Sequence, residues 1–175
     1  NKFKFNKLKI KSFELSDLNL IDQVSKNTKD VLISNGMSYF YELENAFKLI
    51  RKNNSRPTIL HCNSGYPAKF DELDLSSIPF LKNYFKTKIG FSDHTLFENV
   101  EKLTNIEPWI APLSAVYLGA EIIEFHLIKD RAKSKKLFEN KKGGFDWAFS
   151  KEKKEMEELI QNIKMIKQKD FLNIL

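Results

Sequence analysis

Residues 88–96 read KIGFSDHTL. A short apolar run ends abruptly in Ser92, Asp93, His94 and Thr95, side by side. Either the polar run is a turn, or it is the functional end of a strand. The rest of the chain favours the second reading. Four other short apolar segments have the same design: KLKI (7–10), DVLIS (30–34), TILHC (58–62) and EIIEFHL (121–127). The five starts, at 7, 30, 58, 88 and 121, lie 23 to 33 residues apart, the length of a strand, a loop and a returning helix. Parallel strands need such crossovers, so the rhythm predicts a parallel sheet.

Between the strands the apolar period changes to that of a helix. Helices are expected over 18–27, 39–53, 75–85, 112–119 and 150–168. In the last, Met156, Leu159, Ile160, Ile163 and Ile166 recur at three and four residues, and Ser150 stands at the expected N-cap. Gly119 falls where a helix C-terminus favours glycine.

Polar residues follow almost every strand: Lys9 and Ser12, Ser34 and Asn35, then His61, Asn63 and Ser64, then Ser92, Asp93 and His94, and finally Glu124 and His126. A doubly wound sheet gathers its ligand at one switch point, whereas a barrel brings every strand end to one mouth. The pattern favours an α/β fold of the (β/α)8 TIM barrel type. A whole barrel takes roughly 250 residues, so five units make a partial one. An unclosed sheet leaves strand edges open, and residues 1–175 alone are expected to be poorly soluble or oligomeric.

Composition sets limits. The chain has 175 residues, 42% hydrophobic and 30% charged, as in ordinary globular domains. No apolar run approaches the roughly 20 residues of a membrane helix, and NKFKFNKLKI has no signal-peptide apolar stretch. Membrane association is not expected, and a cytoplasmic site is. Cys62 is the single cysteine, which excludes an intrachain disulfide and a cysteine-based zinc cluster. The net charge of +6 suggests nucleic acid, but its densest run is KDRAKSKKLFENKKGG (129–144), and no nucleic-acid-binding motif accompanies it. Nucleic acid is therefore not an expected partner.

His94 and His126 end consecutive strands, whose backbones lie about 5 Å apart. Two imidazoles can then converge on one Mn, Fe, Co or Zn ion, leaving positions for water and a substrate oxygen. Such an ion polarises a carbonyl. His61 is expected to point elsewhere. Lys9, with Ser34, Ser64, Ser92 and the backbone of the turns SNGM and NSGYP, offers donors for a phosphate.

The ordered set KIKSFE, LISNGM, LHCNSGYP, IGFSDHT, LGAEIIEFH and GFDWAFS resembles the N-acetylneuraminate (sialic acid) synthase family, including the legionaminic and pseudaminic acid synthases. The resemblance runs from about Lys7 to the final helix. It implies a TIM barrel that condenses phosphoenolpyruvate with an N-acylated amino sugar of the N-acetylmannosamine type, giving a nonulosonic acid and phosphate. It also implies a divalent metal, Mn2+ or Mg2+, on His94 and His126. Lys9, Ser12, Ser34, Asn63, Ser64 and Ser92 correspond to phosphoenolpyruvate-binding positions, Glu14 and Glu124 to catalytic acids, and Asp146 to a sugar contact. Residues 1–175 then form the C-terminal part of the barrel, about the last five units. The first units and a C-terminal antifreeze-like domain of the homodimer lie outside them.

Departures from the family pattern are Phe13, Asn35, Phe125, Phe145 and Trp147. A lysine-rich insertion at Ala132 to Lys142 and an extra segment at Asn105 to Ile110 are expected to lengthen two loops. Phe13 is placed to crowd the mouth. The departures keep two other readings open: a non-catalytic barrel remnant or binding module, and a different metal-dependent aldolase-type barrel.

Overall fold

The computed structural model describes residues 5–96, 107 and 109–168. Five strands, β1 (Lys7–Ile10), β2 (Asp30–Ser34), β3 (Arg56–His61), β4 (Ile89–Asp93) and β5 (Ile122–Phe125), form one sheet. They pair in parallel and in chain order. The helices between them are α1 (Leu18–Asn27), α2 (Phe40–Lys52), α3 (Ser77–Phe85) and α4 (Ile110–Tyr117), and α5 (Arg131–Glu139) and α6 (Lys153–Gln168) follow. Among the described residues no helix is long and apolar enough to cross a membrane.

The sheet is curled into a half-barrel. A flat sheet of five strands would hold its edges about 19 Å apart. Yet Lys9 of edge strand β1 forms an ion pair with Glu124 of the opposite edge strand β5. Two such side chains span roughly 10 Å when extended, so the edges must face each other across a concave interior. Alternation along the strands then divides the residues. Ile10, Val31, Ile33, Ile59, Ile89 and Phe91 face outward into the core, against Ile21, Leu43, Ala46, Ile50, Ile78 and Ala115 from the helices. Each such aliphatic side chain contributes about 1.5–3 kcal/mol by leaving water. Lys9, Ser92 and Glu124 meet inside.

The five strands and four of the expected helices stand within a few residues of their sequence positions. Gly119 takes φ +104°, and the N–H groups of Gly119 and Ala120 reach Val116 O (3.0 Å) and Ala115 O (2.9 Å), closing α4 with a Schellman motif. Two expectations are corrected. The lysine-rich stretch is not a long loop: Arg131–Glu139 is α5, and the Asp130 carboxylate caps it by accepting the Lys133 N–H at 2.8 Å. Ser150 does not cap the last helix, which begins at Lys153. Instead Lys151 pairs with Leu127 in a parallel bridge, its N–H donating to His126 O (2.8 Å) and its carbonyl accepting from Ile128 (3.0 Å). A one-residue strand thus extends the sheet beyond β5. Half of the segment Asn105 to Ile110, residues 105, 106 and 108, lies outside the described residues.

Candidate active site

The β3 exit leads into NSGYPA, which folds over the end of β4. The Ala68 N–H donates to His94 O (2.9 Å) and the Leu96 N–H to Ala68 O (2.8 Å). Asn63 braces this loop, its amide donating to Glu72 O (2.8 Å) while its side-chain oxygen accepts the Gly65 N–H (2.6 Å). Both ends of the Asn63 side chain therefore serve the loop. The Asn63 carbonyl accepts from His94 Nδ1 at 3.2 Å. A carbonyl only accepts, so the proton sits on Nδ1 and the lone pair on Nε2.

His126 is oriented in the same way. Its Nδ1 lies 2.8 Å from the Asp146 carboxylate, which again puts the proton on Nδ1 and frees Nε2. The ring centres of His94 and His126 are 5.3 Å apart. Two imidazoles bound through Nε2 to one ion at roughly 90–110° would have centres about 4.5–5.3 Å apart. The donor set therefore fits a divalent ion with two protein ligands. Among the described residues no group of three or more His, Cys, Asp or Glu side chains assembles as a metal cage. His94 is buried, and burial pushes its pKa below the usual imidazole range against the opposing Asn63 bond. Neutral imidazole is the form that ligates.

Glu124 lies two residues before His126, on the same face of the sheet. Lys9 and Ser92 both donate to its Oε1, Ser92 at 2.6 Å. Burial disfavours its charge, but these two hydrogen bonds outweigh burial and hold the carboxyl below its usual range. Glu124 is thus an anchored carboxylate. Ser34 and Ser64 differ: their hydroxyl oxygens are buried and have no hydrogen-bond partner among the described residues. An unsatisfied buried hydroxyl costs about 1–3 kcal/mol, and Ser34 and Ser64 retain full capacity to donate. Gly36 makes room there, because a Cβ on it would lie 2.5 Å from Ser64 Oγ and 2.8 Å from Cys62 Sγ.

The remaining predicted residues are placed less centrally. Ser12 and Glu14 form a single 3-10 turn after β1, and the Glu14 carboxylate accepts the Lys11 N–H at 3.0 Å. His61 faces away from the pair, with Nε2 2.8 Å from Leu73 O. Phe13 is 61% exposed, with the Lys11 ammonium 5.5 Å from its ring centre. Trp147 is buried against Phe138 and Lys135 of α5.

Three further residues, outside the sequence motifs' expected ligands, belong to this site. Tyr66 packs at a tilt against His94, with centres 4.1 Å apart, and Phe149 lies edge-on to both histidines. Lys151 is fully buried, with Nζ 2.5 Å from Asp93 Oδ2. Tyr66 was discoverable, since it sits inside the NSGYP motif. Lys151 was not, because it opens a run rich in lysine and glutamate that reads as a solvated helix face.

A curled parallel α/β half-barrel that carries two histidines at neighbouring strand C-termini defines the class of partial TIM-barrel folds, whose sites gather at that face. The NeuB family matches residues 1–170, and the chain belongs to that family. It is 35% identical to the N,N'-diacetyllegionaminic acid synthase of Campylobacter jejuni over 126 residues, 70% of this chain and 34% of that protein. It is 36% identical to the pseudaminic acid synthase of Helicobacter pylori over 125 residues, 71% of this chain and 34% of that protein. The crystal structure of an N-acetylneuraminic acid synthetase from Leptospira borgpetersenii superposes with a TM-score of 0.78 at 31% identity, covering 93% of this chain and 50% of that one. The chain thus spans a third to a half of these relatives' length.

Proposed function

We propose that the protein of which these residues form the half-barrel condenses phosphoenolpyruvate with an N-acylated amino sugar to give a nonulosonic acid and phosphate. The observation that carries this is the pairing of two histidines, each with Nδ1 hydrogen-bonded and Nε2 available, above a carboxylate held by Lys9 and Ser92. Membership of the family supports it. So does the kinship with synthases named for legionaminic and pseudaminic acids.

In this reading Ser34 and Ser64 donate their unpartnered hydroxyls to the anionic groups of phosphoenolpyruvate, and Lys9 supplies positive charge beside them. Ser92 and Lys9 hold Glu124 ionised, where its carboxylate steadies the positive charge that develops at the enolpyruvate carbon during C–C bond formation and can take a proton from the adding water. His94 and His126 would hold Mn2+ or Mg2+, which as a Lewis acid polarises the sugar aldehyde. Asp146 sets the His126 tautomer, and its half-exposed carboxylate also faces the acceptor sugar. Ser12, Glu14 and Asn63 complete the mouth, Asn63 by holding the loop that orients His94. A homodimer and a cytoplasmic site belong to the same proposal.

The deciding experiment is a coupled phosphate-release assay on the full-length protein with Mn2+, phosphoenolpyruvate and either N-acetylmannosamine or a diamino-sugar relative. Sugar-dependent phosphate release is expected, together with its loss in His94→Ala. Tight Mn2+ binding without release on any sugar would instead favour a different carbonyl substrate. Neither binding nor release would favour a non-catalytic module.

A further inference from the structure

Lys151 is fully buried, although buried lysines are rare and costly unless paired. Its side chain and its backbone point to two different strand ends. The ammonium lies 2.5 Å from Asp93 Oδ2, both side chains being inaccessible to solvent. Asp93 Oδ1 is taken up by Thr95, through its N–H at 3.0 Å and its hydroxyl at 2.5 Å. Asp93 and Thr95 bracket His94, so the ion pair fixes the backbone from which that imidazole projects. The backbone of Lys151, meanwhile, pairs with β5: its N–H donates to the carbonyl of His126 itself at 2.8 Å. The Lys151 ammonium also lies 5.4 Å from the Phe125 ring centre, the residue before His126. One residue therefore ties the peptide of one histidine to the neighbours of the other.

We propose that Lys151 is a positioning residue that sets the separation of His94 and His126 for metal binding. The proposal rests on reading the two histidines as metal ligands. Geometry is what the pair needs: an ion bound at about 2.1 Å tolerates errors of only about 0.2 Å. β4 and β5 share hydrogen bonds only as far as Asp93 and Phe125. Beyond that point Lys151 supplies the connection.

Charge and position make opposite predictions here. If Lys151 were merely a nearby cation, Lys151→Met would remove repulsion and tighten Mn2+ binding. A positioning role predicts at least tenfold weaker binding.

The test is Mn2+ titration of the full-length protein by calorimetry, with pulsed EPR of bound Mn2+ to count coupled histidine nitrogens. Lys151→Met is compared with Asp93→Asn/Lys151→Met, which removes both charges of the pair and keeps an acceptor for Thr95. Both variants are expected to retain wild-type circular dichroism, to bind Mn2+ at least tenfold more weakly, and to show one coupled histidine instead of two. Binding within twofold of wild type in the folded double variant would overturn the proposal. So would tighter binding by the single variant. A double variant that does not fold would also overturn it, by making the pair a requirement of the fold. Failure of the wild type to bind Mn2+, or binding unchanged in His94→Ala, would instead overturn the ligand reading itself.

Discussion

Asp146 and Gly36 act on the proposed chemistry from opposite directions, one through an imidazole and one through empty space. The Asp146 carboxylate fixes the proton on His126 Nδ1, and loss of such an outer partner costs about 10–100-fold in metal affinity. Asp146→Asn should therefore weaken Mn2+ binding by that factor, read by calorimetry, while circular dichroism stays unchanged. A wild-type Mn2+ affinity would restrict Asp146 to the sugar. Gly36 works by having no side chain beside Ser64 and Cys62. In Gly36→Ala the new methyl must displace the Ser64 hydroxyl, so the KM for phosphoenolpyruvate should rise about tenfold, equivalent to roughly one charge-assisted hydrogen bond. Mn2+ affinity should not change, because the histidines lie on other strands. The strand-end positions of His94, His126, Ser34, Ser92 and Glu124 were legible in the sequence because each follows or closes a short apolar run. Lys151 and Phe149 were not, since only the folded chain shows that the residues after Trp147 return to β5.

At the scale of elements, packing inside the curl is set by Gly90. A Cβ there would meet Leu60 Cδ2 at 2.5 Å and the backbone oxygen of Ile122 at 2.8 Å. Leucine can rotate away, but the strand carbonyl cannot without parting β4 from β5. Gly90→Ala should lower stability by about 1–3 kcal/mol, seen as a lower urea midpoint at an unchanged slope. Strands and amphipathic helices could be read from period because each buries one face. α5 could not: it buries no residue fully, so no apolar stripe marks it, and its lysines read as an insertion. Trp147 packs on its Phe138 and Lys135, and its Arg131 pairs with Glu155. The misplaced start of α6 has a related cause. Ser150 suits an N-cap by type, but the backbone hydrogen bonds of Lys151 with β5 fix this stretch as extended chain first.

At the scale of the molecule, a curled sheet with an open side presents two surfaces to water that a closed barrel would bury. One is the outer edge of β1, the terminal strand of the described sheet, with backbone groups facing outward. The other is the concave face, where Leu32 and Thr58 remain only partly covered. Exposed strand edges pair with one another, and covering partly exposed apolar surface such as that of Leu32 adds about 25 cal/mol per Å2. The solved relative is about twice as long as this chain, so more chain is present there to cover such surfaces. Residues 1–175 expressed alone should therefore elute from size exclusion as oligomers or aggregates, with light-scattering masses well above 20.5 kDa. The full-length protein should give a discrete species. Leu8→Lys on β1 should shift the isolated segment toward monomer by charging the edge strand. A monodisperse monomer from residues 1–175, folded by circular dichroism, would mean that the curl already shields its own edge and that these five strands suffice as a unit.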